Sequence, residues 1–323
     1  MTKNCRWGII APGRIAHDFA KSMSVVEGST ILAVASRNSD RCRQFALDYG
    51  IPRQYASYEK LIADPDIDAI YIANPHAFHA ETAALCLDAG KPVLCEKPIT
   101  LNHQQAVNLF ELSNRTNTLL MEAMWTKFLP AWRQVYQWIS DKKIGDIQLI
   151  QSNFGFKATF DIDDRLFNRA LGGGSLLDIG IYNIALGQSL FKSPPDAIQA
   201  DVLIGSTGVD ERVSAEIRYG SAINQFTCTI QTDTKNDMTI YGTEGSIYID
   251  DPFHAAQRIQ IKTNELNDTL TLPFESTGFE YQIRAFENAI QQSKKECAEH
   301  TTNDTLINIK TVDSILLDAG IAY

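Results

Sequence analysis

The sequence predicts two successive domains: an α/β domain built on a parallel sheet, then an α+β domain with a large, open, mainly antiparallel sheet. Up to about residue 123, short and almost uninterrupted apolar runs alternate with segments of helical period. Beyond that point, apolar and polar residues alternate within runs that turn signals separate. With 323 residues, 44% of them hydrophobic, the chain is long enough to build two such cores.

The first domain, predicted over residues 1–123, contains five apolar runs of strand length. The segments between them show helical faces, as Ile15, Phe19 and Met23 do. Strands that alternate with helices in this way run parallel, and their crossovers are right-handed. The five runs are 7–11, 30–35, 69–73, 93–95 and 119–122.

The second domain, predicted over residues 124–323, begins with an amphipathic segment at 130–141. The alternating runs that follow predict its antiparallel sheet. These runs are 148–156, 198–204, 213–219, 222–231, 238–241 and 246–249. Two helical stretches, 279–293 and 303–319, close the chain and can cover one face of this sheet. Alternatively, the terminal helix packs back on the first domain.

Composition excludes several classes of function. The net charge is -10, with acids and bases spread along the chain, which indicates an acidic solvated surface and no nucleic-acid partner. The six cysteines are too scattered for a zinc ribbon or a redox pair, so we expect reduced core thiols. We expect a cytoplasmic protein with no membrane partner, because the sequence has neither a signal-peptide core nor an apolar stretch of membrane-spanning length.

The first strand runs into residues 11–16, APGRIA, in the place of a dinucleotide-binding fingerprint. That motif needs a glycine for the tight turn, a glycine for close approach of a pyrophosphate, and a small residue where helix meets strand. Gly13 and Ala16 fill the second and third roles, whereas Ala11 replaces the first glycine. An ordinary turn is the alternative. The turn opens a helix whose first N–H groups can bind a phosphate.

The second strand ends at Ser36 and Arg37. A ribose with a free 2′-hydroxyl usually meets an acid at this position, whereas a hydroxyl and a guanidinium suit a 2′-phosphate. We therefore favour NADP over NAD as the cofactor. An exposed arginine with no ligand is the alternative.

The third strand ends at Asn74, Pro75 and His76, and His79 follows three positions later. Two histidines at this spacing could share a helical face and hold a metal, but no nearby carboxylate or thiol completes the set, so we expect no metal. We interpret them as cofactor lining. A purely structural pair is the alternative.

The apolar run 92–95 ends in Glu96, Lys97 and Pro98. This order puts an ammonium at the carboxyl edge of a parallel sheet, where open α/β folds bind ligands. Proline restricts the backbone immediately after the lysine. We interpret Lys97 as a positioned catalytic cation, with a surface lysine at a strand end as the alternative.

A second glycine-rich stretch, 172–174, precedes Asp178 and Tyr182. On an α-helix these two residues lie one turn apart on the same face and can converge on one ligand. Their neighbours are apolar, and in such surroundings pKa values shift toward those that acid–base chemistry needs. Alternatively, Asp178 caps the helix and Tyr182 packs in the core.

Taken together, these motifs resemble the glucose–fructose oxidoreductase/inositol dehydrogenase (Gfo/Idh/MocA) family along essentially the whole chain. Tyr182, the string 122–125 followed by 128–130, and the segment 164–168 look like the dimeric dihydrodiol dehydrogenase/NADP-dependent D-xylose dehydrogenase branch. Lys127 and Arg169 depart from it, since arginine and proline are expected there.

The resemblance implies a Rossmann domain, an α+β domain whose open sheet forms the interface of a homodimer or higher homo-oligomer, and a role for each matching residue. Catalysis is implied for Lys97, Tyr182 and Asp178. The residues expected to bind the cofactor are Ala11, Gly13, Arg14, Ile15, Ser36, Arg37, Tyr71, Asn74, His76, His79, Glu96 and Lys97. The expected substrate pocket comprises Trp125, Phe154 and Asp178.

The implied activity is NADP-dependent hydride transfer between nicotinamide and a carbinol or carbonyl carbon of a sugar, polyol or vicinal diol. A non-catalytic protein that senses a nucleotide or a sugar with the same fold is the alternative, because fold alone does not fix function.

Overall fold

A computed structural model describes residues 5–191 and 193–323. Internal contacts divide the chain into two compact units. The first unit holds the described residues up to Thr100, with Gln104–Trp125 and Glu275–Thr302; the second holds Leu101–His103, Thr126–Phe274 and Asn303–Tyr323. The boundary at residue 123 remains a prediction. The contacts assign the whole stretch expected at 279–293 to the first unit rather than to the second.

The first unit contains a six-stranded parallel sheet in the order β3-β2-β1-β4-β5-β6. Its strands are β1 (Arg6–Ile10), β2 (Thr30–Ala35), β3 (Arg53–Tyr55), β4 (Ala69–Ile72), β5 (Val93–Glu96) and β6 (Leu120–Ala123). Its helices are α1 (Arg14–Ser22), α2 (Ser39–Tyr49), α3 (Tyr58–Ile62), α4 (His79–Asp88), most of α5 (His103–Thr116) and α8 (Glu280–Gln291). The predicted Rossmann-type sheet is confirmed, and the structure adds the short edge strand β3.

The core of this unit includes helix α8 from far along the chain. Trp7 on β1 is fully buried, and its ring lies 5.2 Å from Phe19 and 5.5 Å from Phe286 between centroids. Its indole N–H donates to Glu287 at 2.7 Å, so the one polar atom of this ring is satisfied. The segment Glu275–Thr302 therefore completes the core on which the nucleotide-binding sheet rests.

The second unit contains an eight-stranded sheet in the order β14-β13-β12-β11-β7-β10-β9-β8. Only the β7–β10 pair is parallel, so the prediction of a mainly antiparallel sheet is confirmed. The strands are β7 (Ile147–Gly155), β8 (Ala197–Ile204), β9 (Asp210–Tyr219), β10 (Ala222–Thr229), β11 (Met238–Gly242), β12 (Gly245–Ile249), β13 (Arg258–Thr263) and β14 (Asn267–Thr271). The predicted runs did not include β13 and β14.

One face of this sheet is covered and the other carries polar side chains. Helix α7 (Ile181–Phe191) is buried along nearly its whole length and contacts β7 and β10. Helices α6 (Pro130–Ser140) and most of α9 (Thr302–Asp318) also belong to this unit. On β9, buried and more exposed residues alternate, as expected for a sheet with one core face.

All six cysteines are buried, and no disulfide forms in the part of the chain that the structure describes. Within residues 5–191 and 193–323, no helix is both long enough and apolar enough to cross a membrane.

Candidate active site

The fingerprint turn after β1 keeps the shape of its glycine version. Ala11 adopts a left-handed backbone with φ of 60°, the conformation that the missing first glycine would supply. Its N–H donates to Ala35 at the end of β2, and its carbonyl accepts from the N–H of Gly13 at 2.7 Å. For a residue with a side chain this backbone costs about 1–2 kcal/mol. Ala11 is therefore strained in the backbone conformation that the fingerprint turn requires.

Gly13 has room for a side chain inside the protein. An added Cβ would lie 3.7 Å from its nearest neighbour outside the adjacent residues, and the backbone φ is -87°, so neither packing nor conformation demands glycine there. No side chain caps helix α1, which begins at Arg14. The N–H of Ala16 donates to the carbonyl of Gly13 at 3.1 Å. A phosphate could therefore accept from the N–H groups of Arg14 and Ile15, and Gly13 leaves room for it to approach them. These features fit a dinucleotide.

At the end of β2, Ser36 is buried and its Oγ accepts from the N–H of Asn38 at 3.1 Å. Arg37 is exposed, and its guanidinium lies 5.3 Å from the ring centroid of Phe78. This cation–π contact holds the charge near the carboxyl edge of the sheet. Phe78 had no distinguishing signal in the sequence, because its partner is 41 positions away.

His79 links the ends of two adjacent strands. It is fully buried, and its two ring nitrogens lie 2.7 Å from the carbonyl of Pro98 and 2.8 Å from that of Asn74. Burial lowers the pKa of His79 below its ordinary value, while both carbonyl acceptors oppose that shift. His79 therefore contacts protein backbone on both sides, and its predicted contact with a cofactor remains a prediction.

Asn74, which follows β4, has an unused acceptor. Its Nδ2 donates to Thr82 Oγ1 at 2.8 Å, whereas its buried Oδ1 has no hydrogen-bond partner among the described residues. A buried acceptor left without a donor is costly unless a ligand supplies one. An amide donor such as the carboxamide of nicotinamide fits this requirement. His76 lies beside His79, with ring centroids 5.7 Å apart.

Lys97 stands on a turn that buried polar side chains hold in place. The Lys97–Pro98 peptide bond is cis. Just beyond it, the N–H of Ile99 donates to Glu122 Oε1 at 3.0 Å, and Glu122 Oε2 pairs with His300 Nε2 at 2.8 Å. The side chains of Glu122 and His300 are almost completely buried. No group of three or more potential metal ligands occurs in the described ranges.

Glu96 and Tyr71 lie against each other behind the strand edge. The hydroxyl of Tyr71 donates to Glu96 Oε1 at 2.6 Å, and the Tyr71 ring stacks on Phe19 at 4.0 Å between centroids. Burial raises the pKa of Glu96 to about 7, although the Tyr71 hydroxyl and the charge of Lys97 act in the opposite direction. Because both side chains are buried, their predicted cofactor contacts remain predictions.

In the second unit, Asp178 and Tyr182 follow a tightly packed glycine turn. The α-helical turn expected at Asp178 is wrong in detail: Leu176–Gly180 is π-helical and leads into α7. Such single π-turns occur frequently at functional sites. A side chain on Gly173 would come within 2.6 Å of the Leu166 carbonyl, so this close approach requires glycine.

Asp178 is an ion-paired carboxylate. It is 6% exposed, and Arg165 donates to its two oxygens at 2.9 and 3.3 Å. This bidentate pairing fixes the plane of the carboxylate. Arg165 entered the sequence interpretation only as part of a family-like segment, because nothing local marks it as the partner of a residue 13 positions later.

Tyr182 belongs to an aromatic cluster with Phe154 and His254. The ring of His254 stacks on Phe154 with centroids 4.3 Å apart, and Tyr182 lies 5.8 Å from Phe154 and 5.4 Å from His254. The structure thus brings Phe154, Tyr182 and His254 together, and the predicted role of Phe154 in a substrate pocket remains a prediction. Trp125 belongs to the first unit, where it stacks on Phe279 at 5.0 Å.

The two departures from the family pattern both make internal contacts. Lys127 is almost fully buried and forms an ion pair with Asp304 at 3.0 Å. Arg169 donates to the carbonyl of Ala322 at 3.1 Å and lies over the ring of Tyr323. Each cation is therefore engaged within the second unit.

A parallel sheet with a fingerprint turn and an open helix start at its carboxyl edge is typical of one class of protein, those that bind dinucleotides. Sequence profiles support this class. Residues 5–124 match the oxidoreductase family with an NAD-binding Rossmann fold, and residues 132–248 match the GFO/IDH/MocA C-terminal domain. The chain belongs to the Gfo/Idh/MocA oxidoreductase family, as the resemblance predicted, and is a dehydrogenase or reductase.

Among curated proteins, the chain is similar to several named trans-1,2-dihydrobenzene-1,2-diol dehydrogenase. The one from Danio rerio is 32% identical over an alignment of 330 positions, which covers 98% of each chain. The one from Mus musculus is 37% identical over 248 residues, which cover 76% of this chain and 74% of that protein.

Solved structures of other oxidoreductases share the fold. KijD10, a 3-ketoreductase from Actinomadura kijaniata in complex with NADP and TDP-benzene, superimposes with a TM-score of 0.84 at 26% identity over 97% of each chain. An aldose-aldose oxidoreductase from Caulobacter crescentus gives a TM-score of 0.89 at 21% identity over 98% of each chain, which supports the fold alone.

The substitution Glu96→Gln tests the buried carboxylate beside Lys97. As pH rises, an unfolded glutamate loses its proton near 4.5 and folded Glu96 only near 7. The wild type therefore loses stability across this window, by roughly 3 kcal/mol in total. Glutamine does not titrate and keeps an oxygen for Tyr71. Relative to the variant, the wild type should thus become less stable between about pH 4.5 and about pH 7.

Urea unfolding at several pH values across this window measures the effect. The matched control is Glu111→Gln, which removes an exposed carboxylate on α5 and should show no comparable pH dependence. A stability difference between wild type and Glu96→Gln that stays constant with pH would contradict the buried-carboxylate assignment.

Proposed function

We propose that this protein is an NADP-dependent oxidoreductase that transfers a hydride between nicotinamide and a carbinol or carbonyl carbon of a sugar, polyol or vicinal diol. The observation that carries the proposal is the composition of the second-unit cluster. In this cluster Tyr182 packs among aromatic rings. Asp178, four positions earlier in the sequence, forms an ion pair with Arg165. Oxidation of a carbinol requires a group that accepts the hydroxyl proton, which a phenol can do, and a hydrogen-bond acceptor that orients the substrate hydroxyls, which a carboxylate can do.

The cofactor is assigned to the carboxyl edge of the six-stranded sheet. The N–H groups at the start of α1 would hold the pyrophosphate, with Gly13 leaving space for it. Arg37 and Ser36 would meet a 2′-phosphate, and Asn74 Oδ1 would accept from the carboxamide. The bound nicotinamide supplies the hydride chemistry, and the protein supplies orientation and charge.

We assign the proton transfer to Tyr182 and an electrostatic role in the same reaction to Lys97. A free phenol titrates near ~10, so it is a poor base at neutral pH unless a nearby positive charge favours the phenolate. Lys97, at the end of β5, is the cation we propose for that role.

A neutral, hydroxylated ring is the substrate that these side chains suit. Aromatic faces such as Phe154 contact the apolar faces of a sugar or cyclic diol, while an anionic Asp178 accepts hydrogen bonds from its hydroxyls. The name of the relatives, trans-1,2-dihydrobenzene-1,2-diol dehydrogenase, supports a cyclic vicinal diol within this range of substrates.

The first test follows the absorbance of reduced nicotinamide when the protein is mixed with NADP and a panel of sugars and cyclic diols. Tyr182→Phe should lower turnover by roughly 10²- to 10⁴-fold, the usual contribution of a positioned acid–base group, and leave NADPH affinity nearly unchanged. The matched control is Tyr136→Phe, which removes a buried hydroxyl bonded to Ser189 at 3.0 Å elsewhere in the same unit.

Turnover of Tyr182→Phe equal to wild type would refute the proton-transfer role. Nucleotide binding with no turnover of any substrate in the panel would instead favour the sensing function.

The preference for NADP depends on Arg37. Hydrogen bonds to charged groups contribute about 1.5–3 kcal/mol, which corresponds to about tenfold or more in affinity. Arg37→Ala should weaken NADPH binding by at least this factor and leave NADH binding almost unchanged, as measured by titration calorimetry. Arg43→Ala is the control, because Arg43 is an exposed arginine of α2 that pairs with Asp40. Equal losses for both nucleotides would contradict the assignment.

We also propose that the open face of the eight-stranded sheet forms a homodimer interface. This face bears a shallow polar concavity of 620 Å³ in which Gln151 and Gln225 hydrogen-bond to each other. Sedimentation velocity should show a dimer, and Gln225→Lys should weaken it because each copy would then have to bury an added charge in the interface. Gln54→Lys, an exposed glutamine in the first unit, is the control. A monomeric wild type would exclude this interface.

A further inference from the structure

A buried carboxylate holds the start of the segment that carries Asp178 and Tyr182. Asp210, the first residue of β9, has no exposed surface. Its Oδ2 accepts from the Ser175 hydroxyl at 2.7 Å and from the N–H of Leu176 at 2.6 Å. Leu176 is the first residue of the π-helical turn. Asp210 therefore satisfies two donors at the point where this turn begins.

The glycine turn is built closely around this carboxylate. Gly174 has a φ of 112°, and a side chain there would collide with Asp210 Oδ1. A side chain on the preceding Gly173 would instead strike the carbonyls of Arg165 and Leu166. The turn is thus confined by Asp210 on one side and, on the other, by the segment that supplies the ion-pair partner of Asp178.

We propose that Asp210 is a positioning residue for the reaction: through Ser175 and the Leu176 N–H it fixes where Asp178 and Tyr182 stand. This inference rests on the proposed function of those two residues. Asp178 follows Leu176 by two positions and Tyr182 by six, within one continuous helical segment. Because a helix is stiff, the anchor of its first amide sets the placement of both side chains.

The anchor acts through hydrogen-bond geometry rather than through its charge. Burial raises the pKa of Asp210 to about 6, against the stabilising bonds from Ser175 and Leu176. The titratable groups that bear on it are the Cys228 thiol, which donates to Ser175 Oγ at 3.6 Å, and the Tyr323 phenol, whose pKa the carboxylate helps to raise. An asparagine side chain has the same shape and an oxygen that can accept both bonds without a buried charge.

Three variants separate these contributions. Asp210→Ala removes both acceptors, Ser175→Ala removes one donor, and Asp210→Asn keeps the geometry without the charge. A displacement of about 1 Å in a reacting group can cost up to ~10²-fold, so we expect Asp210→Ala and Ser175→Ala to lower kcat by about 10- to 100-fold. The KM for NADPH should stay within about threefold because the first-unit site is untouched, and Asp210→Asn should retain kcat within about threefold.

The matched control is Ser22→Ala. Ser22 is likewise fully buried and donates at 2.8 Å to Glu280, a buried carboxylate at the start of α8. That glutamate also accepts backbone N–H groups, for example from Gly278 at 2.8 Å. Ser22→Ala should cost similar stability and leave kcat unchanged, which distinguishes positioning from a general loss of stability.

Hydrogen exchange measured by mass spectrometry gives a readout independent of activity. Amides of residues 175–182 should exchange at least about tenfold faster in Asp210→Ala and Ser175→Ala, and nearly as in wild type in Asp210→Asn and Ser22→Ala. If Asp210→Ala does not fold, Ser175→Ala decides. Unchanged kcat and exchange in Ser175→Ala, or an Asp210→Asn variant as impaired as Asp210→Ala, would overturn the proposal. An inactive wild type would refute the proposed function, while the exchange data would still test the anchor.

Discussion

A single buried imidazole fixes the edge of the nucleotide-binding sheet. His79 bridges the backbone carbonyls that follow β4 and β5, so the turn carrying Lys97 cannot shift without breaking a contact to the neighbouring strand end. Glu122 holds the same turn through the N–H of Ile99. These buried contacts to the backbone of the turn therefore set the position of Lys97. Contacts of this kind suit a cation that must meet its ligand in one orientation.

In the second unit, too, contacts within the protein fix the position of polar side chains. Its polar side chains stand on a helical segment that is fixed at its start, and Arg165 sets the orientation of Asp178 from a neighbouring loop. Small residues make this arrangement possible, because Gly173 and Gly174 admit backbone and carboxylate where any side chain would collide. In both units, buried or ion-paired side chains hold in place the residues to which we assign a role in the reaction.

Much of the fold could be predicted from the sequence. The five predicted strands of the first unit are continuously apolar because both faces of a parallel sheet are buried. β3 lacks that signal, since Arg53 and Gln54 lie at the sheet edge, and β14 is polar for the same reason. Lys97, Asp178 and Tyr182 stood out by local spacing. His300, His254 and Asp210 did not, because only the folded chain brings them to their partners.

The chain passes between the two units more than once, and the first unit is finished by residues near the end of the sequence. A gene fragment cut after residue 125 would encode every strand of the nucleotide-binding sheet and yet omit α8. Trp7 would then lose both the carboxylate of Glu287 and the ring of Phe286. The nucleotide-binding unit consequently cannot be transferred as one continuous segment. Recombination that exchanges this unit between relatives would have to exchange the segment Glu275–Thr302 together with the amino-terminal part of the chain.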